Sequence, residues 1–135
     1  MATRIPQPHA LFDTLENIQE NTPACVTQFI TKLNISEAQT EFKLAHEFLA
    51  SYVGSEDTFN AYRREVERLI QWSWLIAKKP LKTLSRNDIR DYLAFANQPP
   101  LAWIATQNHA RFQIVQGEKI HHPEWRPFVT RISKI

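Results

Sequence analysis

Glycine and cysteine are almost missing from this chain, and no long apolar run crosses it. Gly54 and Gly117 are the only glycines among 135 residues, which excludes the glycine-rich loops that cradle phosphates or dinucleotides. Cys25 is the single cysteine, so an internal disulfide and a multi-cysteine metal site are ruled out. Its expected role is a small buried or half-buried apolar side chain, with no histidine placed beside it to activate a thiol. No stretch of about 18 apolar residues is present to form a transmembrane helix, and MATRIPQPHALFD lacks the apolar core of a signal peptide. The expectation is a cytoplasmic protein with no membrane partner. Paired acids, a Cys/His cluster, a nucleophile elbow and a Ser/His arrangement are also lacking, so a small hydrolase or metal enzyme has no constellation to rest on and no cofactor is expected. His46 has no second ligand at i+4, and His121 and His122, being adjacent, point apart on any regular backbone.

What is present suits one ordinary globular domain, with 43% hydrophobic residues and a net charge of +2. The charge is unevenly spread. Residues 1–57 carry three basic against eight acidic residues, a balance of −5, while residues 58–135 carry thirteen against six, a balance of +7. That asymmetry points to a polyanion-facing surface built by the second half.

Taken in order, residues 1–21 read as a loosely held arm with a short apolar group at Leu11, Phe12, Leu15 and Ile18. Thr22-Pro23 starts a short helix whose edge is Val26, Phe29, Ile30 and Leu33. Ser36 is the expected cap of the next helix, which buries Phe42, Ala45, Phe48, Leu49 and Tyr52 and stops at Gly54. The central stretch from Ser55 to Pro80 predicts a helix capped by Ser55 or Thr58. Phe59, Tyr62, Val66, Leu69, Ile70 and Ser73 face a core, and Asn60, Arg63, Arg64, Glu67 and Gln71 lie opposite. Trp74 falls on the polar side of that wheel. Ser85 with Asp88 three residues later resembles a capping box for a further helix with a buried edge of Ile89, Tyr92, Leu93 and Ala96, ended by Pro99 and Pro100. Beyond Leu101 no period is sustained, although weak alternation before Gly117 allows a small hairpin.

Two segments of this reading resemble the N-terminal core-binding, or SAM-like, domain of tyrosine recombinases, the phage-integrase family. The first is Thr58, Tyr62, Val66, Leu69 and Trp72; the second is Leu84, Ser85, Asp88, Ile89, Tyr92 and Leu93. The likeness covers roughly residues 36–98, or up to Phe128 if the WRPF segment is counted. It implies an all-α fold, a small bundle of four or five helices over residues 22–135 with an irregular C-terminal extension. It also implies a clamp on duplex DNA that positions a separate catalytic domain for strand exchange. In that family the catalytic groups, a nucleophilic tyrosine among them, belong to that other domain. Tyr52, Tyr62 and Tyr92 are accounted for here as helix core residues, so this chain is expected to be a non-catalytic fragment ending inside or before the last helix. Other recombinase protomers are the implied partners of the full-length protein, and the fragment alone is expected to be monomeric.

Lys and Arg gain affinity for duplex DNA by releasing condensed counterions, and short polar side chains reach base edges. Thr58, Asn60 and Arg64 are the residues placed toward the groove of the duplex. Arg63, Arg68, Lys78, Lys79, Lys82, Arg86 and Arg90 are the candidate phosphate contacts. Glu67 interrupts this face and is expected to pair with Arg63, Arg64 or Arg68 along the helix. An exposed Trp74 is expected to pack on the absent last helix or on the catalytic domain. The alternative is a helical protein-interaction module whose basic face meets an acidic partner. Convergence of Arg64, Lys79 and Arg86 on one surface would separate the two, since a protein interface more often has an apolar centre.

Overall fold

The computed structural model describes residues 5–130; residues 1–4, Arg4 among them, and 131–135, where the chain is expected to break off before a last helix, lie outside it. Among the described residues four α-helices follow one another: α1 (Ala24–Lys32), α2 (Ala38–Ala50), α3 (Glu56–Gln71) and α4 (Arg86–Asn97). A π-helical segment, Trp72–Ala77, continues α3. After α4 come, among the described residues, four short strands, which correct the all-α expectation to a mostly helical fold. β1 (Ile104–Ala105) pairs in parallel with β4 (Phe128–Val129). β2 (Phe112–Val115) and β3 (Glu118–His121) form an antiparallel hairpin with Phe112 opposite His121 and Val115 opposite Glu118. Gln116 and Gly117 both adopt positive φ, 51° and 80°, as the two central residues of a type I′ hairpin turn require.

Local chemistry explains the starts of two helices. Ser55 Oγ accepts the Thr58 N–H at 3.2 Å, and Ser85 and Asp88 form a reciprocal capping box, each satisfying backbone donors the helix leaves free. Ser36 does not cap α2: Glu37 stands at that position in the left-handed region at φ 67°, with no side-chain cap bond. The stripe of α3 is partly as expected, with Phe59, Ile70 and Ser73 buried, but Tyr62 is exposed, as is its neighbour Phe48 on α2. Those two rings instead pack on each other at the surface, 6.0 Å apart. On α4 only Tyr92 is buried, and Ile89 and Leu93 face solvent. The helix meets the body along a narrow edge, where Tyr92 lies edge-on to Trp72 and Phe95 edge-on to Trp103.

Trp72, Ser73, Trp74 and Leu75 are all buried in succession, which no one-sided helix would produce. The π segment is enclosed on several sides. Trp72 meets α4 through Tyr92, and Leu75 joins a small core with Trp103 and Phe128. Trp74 enters the main core of Leu11, Phe12, Ile18, Val26, Ile30, Leu49, Phe59 and Ile70. Trp74 is therefore a core residue and not an exposed docking ring. Its Nε1–H donates to Glu41 Oε1 at 2.9 Å, and the same carboxylate accepts the Leu81 and Lys82 N–H groups.

The N-terminal segment is the largest departure from expectation. Ala10, Leu11, Phe12 and Ile18 are each at most 2% exposed, so the segment is a strap built into the core; burying a Leu or Phe side chain is worth roughly 2–3 kcal/mol. The polar row of α3 holds it. Four helical residues advance about 6 Å, close to the roughly 6.6 Å spanned by two extended residues, so each turn of α3 meets every second strap residue. Gln71 Oε1 accepts the His9 N–H at 2.8 Å, Glu67 Oε2 accepts the Leu11 N–H at 2.7 Å, and Arg63 donates to the Asp13 carbonyl at 2.9 Å. Glu67 and Gln71, expected opposite the core, are 1% and 0% exposed for this reason.

Candidate nucleic-acid interface

One wall of a groove of about 730 Å³ is α3, contributing Asn60, Arg63, Arg64, Glu65, Glu67 and Arg68, and the other is the C-terminal extension, contributing Asn108, His109, Arg111, Trp125 and Arg126. Five arginines thus converge among the described residues, against two carboxylates. Each guanidinium is anchored by part of its fork. Arg63 holds the Asp13 carbonyl. Arg68 donates from Nε to the Pro127 carbonyl at 2.9 Å and lies 4.1 Å from the centre of the Phe128 ring. Arg126 donates to the Trp125 and Pro123 carbonyls. Arg111 pairs with Glu67 and sits over the Trp125 ring at 5.0 Å. Arg64 bonds the exposed Glu65 at 3.2 Å. Holding the guanidinium by one edge lowers the entropy cost of presenting the other edge to a ligand.

The electrostatics of the groove favour an anion. Burial, then the charge of Arg111, pushes the Arg63 guanidinium down to about 10, and burial lowers Arg68 as well. Both stay charged at neutral pH, in a place where like charges crowd. Glu67 offsets little of this toward a ligand, because it is buried and occupied by Arg111 and by the Leu11 and Phe12 N–H groups. It pairs across the groove with Arg111, correcting the expectation of a partner along α3. The buried Arg63 Nε has no hydrogen-bond partner among the described residues.

Of the ten residues selected from the sequence, Asn60, Arg63, Arg64 and Arg68 line this groove. Thr58 does not line it, and its hydroxyl accepts from Ser55 within the cap of α3. Lys79 bonds Asp88 at 2.7 Å and lines a different hollow with Trp72, Ile76 and Phe95, so Arg64 and Lys79 do not converge. Lys82 pairs with Glu37 at 2.6 Å. Lys78 is exposed at the end of the π segment, and Arg86 and Arg90 are exposed on α4; none of the three lines the groove. Conversely, Asn108, His109, Arg111 and Arg126 escape sequence reasoning because they sit in an aperiodic stretch. The available signal is an arginine beside an aromatic residue, Arg111-Phe112 and Trp125-Arg126, within the basic half.

The hairpin beside this wall is tied to the N-terminal segment through β3. Lys119 Nζ bonds Asp13 Oδ2 at 2.6 Å and Glu20 Oε2 at 3.2 Å; these bonds raise its pKa, the Asp13 one foremost. His121 stacks on His9, centroids 4.1 Å apart, and His9 stacks on Phe29 of α1. His109 and His122 stack loosely at 5.2 Å, but His122 Nδ1 accepts the Glu124 N–H, and no metal-holding cluster of His, Cys, Asp or Glu occurs among the described residues. Comparison of the chain with protein-family models, with curated proteins and with solved structures returns no match.

Proposed function

We propose that this chain is a duplex-DNA-binding module, the core-binding domain of a site-specific tyrosine recombinase, and that the arginine groove between α3 and the C-terminal extension is where it meets the phosphate backbone. The observation that carries the reading is the convergence of five anchored guanidiniums on one open, polar groove. Phosphate oxygens accept such forks in pairs, and two amides, Asn60 and Asn108, stand among them with the chemistry to meet base edges. The catalytic step belongs to a separate domain in this reading. Arg64, Lys79 and Arg86 do not share one surface hollow, which speaks for the acidic-partner alternative. Among the described residues, however, only Trp125, Pro127 and Val129 give the groove an apolar lining, without the apolar centre that protein interfaces use.

Fluorescence anisotropy of a labelled generic duplex tests the reading. Each phosphate neutralised adds about 0.9 to the log–log salt slope, so engagement of four forks gives a slope of roughly −3 to −4. Arg64→Ala, at a half-exposed side chain, weakens binding without loss of helical content, whereas Arg90→Ala on α4 leaves the affinity within about twofold. Equal losses from both variants would refute the groove as the site, and no binding at low salt would refute the function.

A further inference from the structure

We propose that Glu67 is the positioning residue of the arginine groove, a carboxylate whose work is to hold Arg111 and the strap of residues 6–13 in register with α3; the inference rests on the DNA-binding reading above. A carboxylate in the middle of a polyanion site is a paradox if charge alone matters, since it opposes the ligand. Its surroundings resolve the paradox. Glu67 is 1% exposed, and its two oxygens face different elements: Oε2 receives the Leu11 and Phe12 N–H groups of the strap, and Oε1 receives Arg111 at the start of the hairpin. One side chain of α3 thus joins both segments. The Arg111 side chain is 13% exposed, held between Glu67 and the Trp125 ring, and it lines the groove. The segment it begins carries His122, whose N–H donates to the Arg111 carbonyl at 3.0 Å, and leads on to Trp125 and Arg126 on the same wall. Without the carboxylate, Arg111 loses its ion-pair partner beside Arg63, whose own guanidinium is already disfavoured by burial and then by the charge of Arg111.

The test uses a substitution for which electrostatics and positioning predict opposite signs. Glu67→Gln keeps an oxygen for the strap N–H groups and removes one negative charge from the groove. Charge counting predicts tighter binding of a labelled duplex; loss of a positioned fork predicts binding weaker by about tenfold, the worth of one charge-assisted hydrogen bond. The double variant Glu67→Gln with Arg111→Gln keeps the net charge and leaves no unpaired buried ion, so it retains the fold where the single variant unfolds, and it too is expected to bind about tenfold more weakly. Circular dichroism at the titration temperature supplies the folded fraction used to correct each affinity. Corrected affinities equal to or tighter than wild type in the folded variants overturn the role of Glu67 while leaving the DNA reading intact. A wild-type chain that does not bind the duplex at low salt overturns the DNA reading itself.

Discussion

Acidification is expected to loosen the strap through His121. Its ring is stacked on His9, and its Nδ1 accepts the Ala10 N–H at 3.3 Å, a bond that requires that nitrogen to be bare. Burial foremost, then the charges of His9, Arg126 and His122, lowers the His121 pKa from 6.5 to about 4. The unfolded chain therefore binds more protons than the folded one between those two values. The stabilisation is complete above the upper value and is lost as pH falls toward the lower. At about 1.4 kcal/mol per tenfold change in proton affinity, the whole difference is ~3 kcal/mol, which solvent screening at a half-buried ring reduces to about 1–2 kcal/mol. His9, lowered mainly by burial, acts with the same sign. Asp88, held down to about 2 chiefly by Lys79, titrates below this window and does not confuse it. Urea unfolding followed by tryptophan fluorescence, at about pH 7 and about pH 4.5, reads the loss. His121→Asn places an amide oxygen near the Nδ1 position and cannot titrate, so it should remove at least half of the pH dependence. An unchanged pH dependence in that variant would refute the assignment.

Three further outcomes follow from particular contacts. Trp74→Phe keeps most of the packing but takes one of three donors from the buried Glu41 carboxylate, and urea unfolding should show a loss of about 1.5–3 kcal/mol. Ser85→Ala breaks the reciprocal cap of α4 and should cost about 1 kcal/mol by the same assay; no change would mean that α4 is held by its Tyr92 and Phe95 contacts alone. Leu93→Glu, at a side chain 62% exposed, should alter stability by no more than about 0.5 kcal/mol, whereas a loss of several kcal/mol would restore Leu93 to the core.

The features legible in the sequence are those decided within a few residues. The Ser55 cap, the Ser85–Asp88 box, the start of α1 after Pro23 and the Gln116–Gly117 turn each depend on side chains and backbone within one turn of the chain. Which polar face stays polar is decided elsewhere. A helical wheel separates apolar from polar positions, but it holds no information on whether a distant segment brings backbone donors to the polar row. The row of Arg63, Glu67 and Gln71 reads as a solvent face until residues 9–13 are laid along it. Trp74 is misplaced for a different reason: the wheel assumes an α-helical step, and the π-helical segment beginning at Trp72 changes the angle at which it projects.

The same distinction explains why half of the groove was legible. Asn60, Arg63, Arg64 and Arg68 come from one regular helix, whose spacing fixes them as neighbours before any tertiary contact is known. Arg111 and Arg126 have no such rule, because their neighbours are set by the pairing of β1 with β4 and by the ties of Lys119 to Asp13 and of His121 to His9. Those ties all involve the strap or the segments packed on it. The basic stretch after α4 therefore becomes one wall of a site only once residues 6–13 are in place, and Glu67 is where that dependence is concentrated, since the same carboxylate holds the strap and Arg111.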